Sequence, residues 1–530
     1  MFIVSYINVP FIYYEGADPL NTFQIILYEG TNDIQVNYLD VRPRESARHT
    51  TTAGIENSNG TAGLQYEKFN TPGRYRNLYV MYYLGDSASP PPSDDGGSEP
   101  PPDDGFGSGE DTPPSNLFPD GSLFFPYIAL DTEWNTTLYV INQDSSQAQS
   151  GVFRSYDEDG TLVSETGHIT IAPNARYALP ILDLAGMAGN SAYMVFVPDS
   201  ESANFIGYER FYSGEEEGET IPAAKEGSAL VLDIPHLASS ANWRTRIVLI
   251  NIKPDKRAVQ IQFDSGESVY RELNSGQQLS FSVRELLGGE PRPDIHSARI
   301  FASGLVGIAL FTSVNGDYDL SGILLENDKE KVICYPHVVL SENWYSALVA
   351  YTYSSSCDLT ITPYSAQGEA FPALSKHISR SSRFVGTFSS LGLPEGTAWL
   401  KIEGTKALAG FQLLGSKEGG LAGFDCTTIK KRAGAIPGLD GDGIAALGMV
   451  NTEDSEAHVT LTAFQDDGEV LATKSISIPA HAKIAGTVMD LFGQEVEGVS
   501  YVTFSSDRDL VGFQVGISDT LERADALPIL

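Results

Sequence analysis

Apolar and polar residues alternate with a period of two in short runs, such as Ser191–Phe196, Ser297–Phe301, Thr397–Ile402 and Ser500–Phe504. Gly, Pro, Asn, Asp and Ser punctuate the runs. This alternation predicts half-buried β-strands joined by tight turns. No apolar stripe at helical spacing extends over ~11 residues, and no run approaches the ~18 apolar residues of a membrane-spanning helix.

From residue 122 onward the pattern repeats. An apolar residue followed by proline recurs as Phe125-Pro126, Ile234-Pro235, Tyr335-Pro336 and Ile436-Pro437. Shortly after come Trp134, Trp243, Trp344 and, in the fourth copy, Ile444. Each then leads into an alternating strand that finishes near Asn142, Asn251, Tyr351 or Asn451. A hairpin follows in each, with Gly160, Gly266, Gly368 and Gly468 at the turn, where a positive φ is needed. Next come short Leu-bearing segments, Asp183-Leu184, Glu285-Leu286, Ser390-Leu391 and Asp490-Leu491, read as single helical turns or crossings between sheets. Three further strands complete each copy. With seven or eight short strands per copy, the expectation is an all-β chain of tandem immunoglobulin-like antiparallel β-sandwiches. Their spans are 122–227, 228–329, 330–430 and 431–530.

Residues 1–85 read as strands of another type: Phe2–Ile7, Thr22–Leu27, Ile34–Tyr38, Thr51–Ile55 and Leu78–Tyr83. Residues 86–116 hold the proline clusters Pro90–Pro92, Pro100–Pro102 and Pro113–Pro114 among Asp, Glu, Gly and Ser, with one aromatic, Phe106. Such a segment cannot bury a core and reads as a disordered, protease-sensitive linker. The chain carries 69 acidic against 34 basic residues, a net charge of −35, which argues against nucleic acid or anionic lipid as partner.

Candidate chemistry is sparse. No nucleophile–base–acid set and no zincin, P-loop or EF-hand motif occurs, so no enzyme and no required cofactor is expected. His236 and His337 share a repeat position that also takes Tyr127 and Gly438, which reads as packing. Trp134, Trp243 and Trp344 are candidate platforms for stacking a sugar, weighed against a role as core plugs. Acidic turns offer candidate calcium ligands in Asp157, Asp159, Asp440, Asp442, Asp466 and Asp467, weighed against solvated turns. Of the three cysteines, Cys334 and Cys426 fall in the opening and closing strands of the third copy and are a candidate disulfide outside the cell. Buried free thiols are the alternative.

Two resemblances add to this. "NTFQIILYEGTNDIQVNYLDV", followed by "TAGIENSNGTAGLQY", resembles the second half of a nidogen-like β module of secreted bacterial proteins. Strands usually precede the "FIVSYINVP" position in that module. The resemblance therefore implies a partial module with an open edge or uncovered apolar face near Phe11, Tyr13 and Tyr14, and export of a longer product. "IPHLASSANWRTRIVLIN", "YPHVVLSENWYSALVAY" and "SSDRDLVGFQV" resemble a four-repeat module of uncharacterised exported proteins of deltaproteobacterial type. Together they imply an extracellular or cell-surface protein without catalysis, its repeats acting as stalk or adhesin. The alternative is a glycan- or calcium-dependent module that targets an upstream catalytic domain. Glycan or another surface protein is the expected partner.

Overall fold

The computed structural model describes residues 2–9, 21–27, 34–41, 51–56, 63–69 and 75–82 of an N-terminal unit. It also describes residues 117–530 of a second unit, except 130–133, 184–190, 214–215, 229, 314–319, 326–328, 340, 353–355, 381, 419, 425–429, 442, 494–495, 519 and 522. The proposed linker at 86–116 and the trio Phe11, Tyr13 and Tyr14 lie outside the described residues.

In the N-terminal unit, Phe2–Val9, Asn21–Leu27, Ile34–Val41 and Tyr75–Tyr82 form an antiparallel sheet in that order. Thr51–Glu56 and Gly63–Phe69 form a separate hairpin. The alternation in NTFQIIL places Phe23 and Ile25 on the face that carries Ile34 and the buried Val36. Ile26, on the opposite face, is buried as well.

The second unit is all-β and fourfold repetitive. Its first copy has two sheets. One, five-stranded, holds Leu162–Glu165, Gln149–Tyr156, Tyr193–Pro198 and Leu123–Phe125, with Ile169–Ile171 also paired to Gln149–Tyr156. The other holds Arg176–Pro180, Trp134–Asn142, Phe205–Ser213 and Glu216–Pro222. The second copy has two four-stranded sheets. In the third and fourth, single long strands, Thr397–Ser416 and Tyr501–Ile517, run through both sheets and merge them into seven-stranded half-barrels. Each copy has its own apolar core, centred on Phe153, Ile261, Ile361 and Leu461. The Leu-bearing segments are the expected short turns. Ser282 with Glu285, and Thr487 with Asp490, close reciprocal capping boxes on one-turn helices. Asn142, Asn251 and Asn451 are fully buried strand-end braces. Each amide donates to three carbonyls of two neighbouring loops, as Asn251 does to Asp255, Leu273 and Asn274.

The copies are not beads on a string. The closing strands Glu216–Pro222, Leu320–Leu324, Leu421–Phe424 and Ala524–Pro528 gather about one axis, each against two neighbours, and the fourth copy meets the first. The array is therefore a closed, four-bladed, propeller-like ring. This corrects the picture of independent immunoglobulin-like sandwiches in tandem: what stands is all-β repetition in multiple sheets. The physical reason is that each copy leaves an apolar sheet face that only the next copy covers. Tyr193 and Val195 of the first pack on Ile250 and Val306 of the second. Phe311 stacks on Phe411 at 5.5 Å between the second and third. Trp399 and Tyr364 of the third join Val450 and Phe513 of the fourth. Phe464 and Tyr501 of the fourth close on Tyr139, Ile141 and Tyr208 of the first.

Three junctions share one polar latch. Tyr193 Oη donates to Gly276 O at 2.6 Å, Trp399 Nε1 to His481 O at 2.8 Å, and Tyr501 Oη to Asn174 O. Alongside, the amides of Gln278, Lys483 and Arg176 donate to Glu158, Ala366 and Asp466 of the preceding copy, each at 2.9 Å. The hairpin glycines have the positive φ expected of them, and at these junctions they also allow close approach. A Cβ at Gly160, Gly368 or Gly468 would lie 2.2–2.5 Å from backbone of the next copy. The second-to-third junction differs. Gly266 faces open space, Ser297 stands at the Tyr/Trp position, and Arg299 turns to Asp233 at 2.8 Å. Arg383 ties this seam by donating to His296 O at 2.6 Å and to His236 Nδ1.

Candidate functional site

Axial chemistry follows from the closing strands. Glu219, Ser321, Ala422 and Asp525 occupy one register level around the axis. All are buried. Gly423 N donates to Glu219 Oε2 at 3.4 Å, and Thr220 Oγ1 to Asp525 Oδ2 at 2.8 Å. Burial, with the charge of Asp525 beside it, pushes the Glu219 carboxyl well above the usual carboxylate range.

Between the first and fourth copies lies an ionic network built around the buried Arg176 and Arg210. Arg176 donates through Nε to Asp466 at 2.7 Å and through Nη1 to Tyr208 Oη at 2.8 Å. It also makes a two-pronged contact with Asp440, Nη1–Oδ1 at 2.9 Å and Nη2–Oδ2. Arg210 donates to Thr220 at 3.2 Å and stands 3.8 Å from both Asp440 and Asp525. Tyr139 stacks on Tyr208 at 4.5 Å and lies under the Arg176 guanidinium at 4.8 Å. Burial alone would raise the Asp440 carboxyl. The hydrogen bonds and charge of Arg176, with Arg210 behind, outweigh burial and hold it below its ordinary value. Neighbouring Glu209 is fully buried, and neither of its oxygens has a hydrogen-bond partner. Burial pushes it well above the carboxylate range.

The two ends of the ring differ. At one end, Trp134, Trp243, Trp344 and Ile444 begin equivalent strands, opposite Ser213, Ser313, Ser416 and Ile517. The three indoles are half-buried. Trp134 lies against Gly218 and carries Arg523 over its ring at 5.6 Å. Ile444 is 57% exposed and Tyr345 39%. At the other end, where the closing strands finish, a cavity of about 390 Å³ opens on the axis. All four copies contribute to its wall.

The sequence candidates fall as follows. Asp440 and Asp466 come together, but on Arg176. Asp157, Asp159 and Asp467 lie at hairpin tips, and Asp442 lies outside the described residues. Among the described residues no group of three His, Cys, Asp or Glu is arranged to hold a metal. Cys334 is a buried free thiol that burial pushes up to about 11. Cys357 is buried and free as well, and Cys426 lies outside the described residues. His236 and His337 pack between copies, accepting from Arg383 and Lys483. Burial and the adjacent cation push His236 down to about 3 and His337 in the same direction. The axial charges Glu209, Arg210 and Glu219 were not singled out from sequence. The signal for Glu209 and Arg210 was present in GYERFY, where two charges interrupt a strand.

Among the described residues no helix is long and apolar enough to cross a membrane. No curated protein matches the chain. Residues 1–78 match the family described as NIDO related.

Proposed function

We propose that the protein is a non-enzymatic recognition module displayed outside the cell, with the ring as a rigid binding head. The observation that carries this reading is the set of three half-buried indoles at one end of the ring, Trp134, Trp243 and Trp344. A ring partly open to solvent at a fixed register position is suited to stack on the apolar face of a sugar, as a fully buried plug such as Trp399 is not. Three equivalent positions also favour avidity for a repeating glycan over tight binding at any one. The NIDO-related match over residues 1–78 supports placement outside the cell. We read each copy as a sandwich of immunoglobulin size bent into the ring, related to the exported repeat module that it resembles. The stalk reading is less favoured, because a closed ring adds little length.

Glycan-array binding of the full chain tests this, followed by Trp134→Ala, Trp243→Ala and Trp344→Ala singly and together. The reading expects graded loss, nearly complete in the triple variant, with folding kept. A chain that binds no glycan, or a triple variant that binds as the parent does, would overturn it.

A further inference from the structure

The cavity at the opposite end has a built polarity. Its wall is mostly apolar, with Pro222, Ala224, Ile323, Leu325, Pro528 and Ile529 contributed by three copies. Its volume of about 390 Å³ falls within the roughly 300–1,000 Å³ of small-molecule sites. Gly322, Gly423 and Ala526 also line it, and one position earlier on the closing strands stand the buried acids Glu219 and Asp525. The charged residues that line it are Lys225, Lys431 and Glu226. Lys225 and Glu226 are exposed and Lys431 is half-buried. Two cations against one anion is a local inversion in a chain of net charge −35.

We propose that this axial cavity binds a small amphipathic carboxylate, with its hydrocarbon body in the apolar shaft and its carboxylate on Lys225 and Lys431. Both cations lie toward solvent, Lys225 exposed and Lys431 half-buried, while the residues deeper in the cavity are apolar, so the polarity of the site allows one orientation only. The cavity wall, and then the charge of Lys431 beside it, hold the Lys225 amine below its ordinary value. A bound carboxylate relieves that repulsion. A neutral ligand of the same shape gains the apolar contact and no more. The proposal does not depend on the glycan reading, since it concerns the other end of the ring.

Titration calorimetry of the full chain with hexanoate, octanoate and decanoate, and with octanol as the neutral control, tests it. The expected result is one site per chain, affinity rising about fourfold per added methylene, and octanol at least tenfold weaker than octanoate. Lys225→Glu, at an exposed position, should weaken octanoate at least tenfold while leaving octanol unchanged. Absence of binding, octanol binding as tightly as octanoate, or indifference to Lys225→Glu would each overturn the proposal.

Discussion

Replacing Arg176 by alanine removes the cation that joins the fourth copy to the first. Its side chain is 2% exposed and serves Asp440, Asp466 and Tyr208 together. Stripping one partner from a buried ion pair costs about 3–5 kcal/mol, because the remaining charge is left uncompensated. Two features lower that figure here. The side chains of Asp440 and Asp466 are 29% and 60% exposed, and Arg210 remains 3.8 Å from Asp440. The expected loss is therefore about 3 kcal/mol at pH 7. Its pH dependence has a fixed sign. The Asp440 carboxyl is depressed in the folded state, so its contribution is complete above the unfolded value of about 3.9 and is lost as pH falls through the lower folded value. The gap between Arg176→Ala and the parent should thus be widest near neutrality and close toward pH 3. Urea unfolding followed by tryptophan fluorescence measures it, and a double-mutant cycle with Asp440→Asn isolates the coupling. A loss under about 0.5 kcal/mol at pH 7, or strict additivity with Asp440→Asn, would refute the reasoning.

Glu209→Gln should stabilise the protein at neutral pH by about 1–2 kcal/mol. The equivalent Gln412 and Gln514 donate to the carbonyls of His337 and Gly438, so a glutamine at 209 gains the corresponding bond to Tyr127. Because the Glu209 carboxyl is raised in the folded state, its penalty grows as pH rises above the unfolded value, and the benefit of the substitution should shrink toward pH 4 in urea melts. Gly468→Ala and Gly266→Ala both place a side chain at positive φ, +87° and +93°, each costing about 1–2 kcal/mol. Only at Gly468 would the new Cβ lie 2.2 Å from a backbone oxygen, Pro173 O. Unfolding midpoints should therefore place Gly468→Ala well below Gly266→Ala, and equal losses would contradict the junction geometry.

Much of the local structure was legible because it is governed by local physics. Alternation marked the strands. The anchor prolines marked the copies. The hairpin glycines had the positive φ expected of them. The Leu-bearing segments at Glu285-Leu286 and Asp490-Leu491 marked the one-turn helices. The strand Gly63–Phe69, with its glutamine, glutamate and lysine, alternates too weakly to be read as one. Ring closure was not legible for a different reason. A face that must meet a neighbour has the same apolar alternation as a face that meets its own core, so Tyr193, Trp399 and Tyr501 look like ordinary core residues. Arg176 and Asp440 are 264 positions apart, and no local pattern links them. Asp440 and Asp466 therefore looked like acidic turns when they are the counter-charges of a buried arginine. The three tryptophans were found by repeat position, but periodicity could not tell that they share one end of an axis.

The central claim, that the four copies close into a ring, is tested most directly by crosslinking across the junction of the fourth copy with the first. Ala172→Cys and Asp467→Cys place thiols at two exposed positions flanking the contact of Gly468 with Pro173 and Asn174. Cys334, Cys357 and Cys426 are changed to serine in the same full-length chain, and a short bis-maleimide is added to dilute protein. Closure predicts an efficient intramolecular product, abolished when either engineered cysteine is omitted. Two thiols that each react with a monofunctional maleimide, yet give no intramolecular product, would show that the first and fourth copies stand apart.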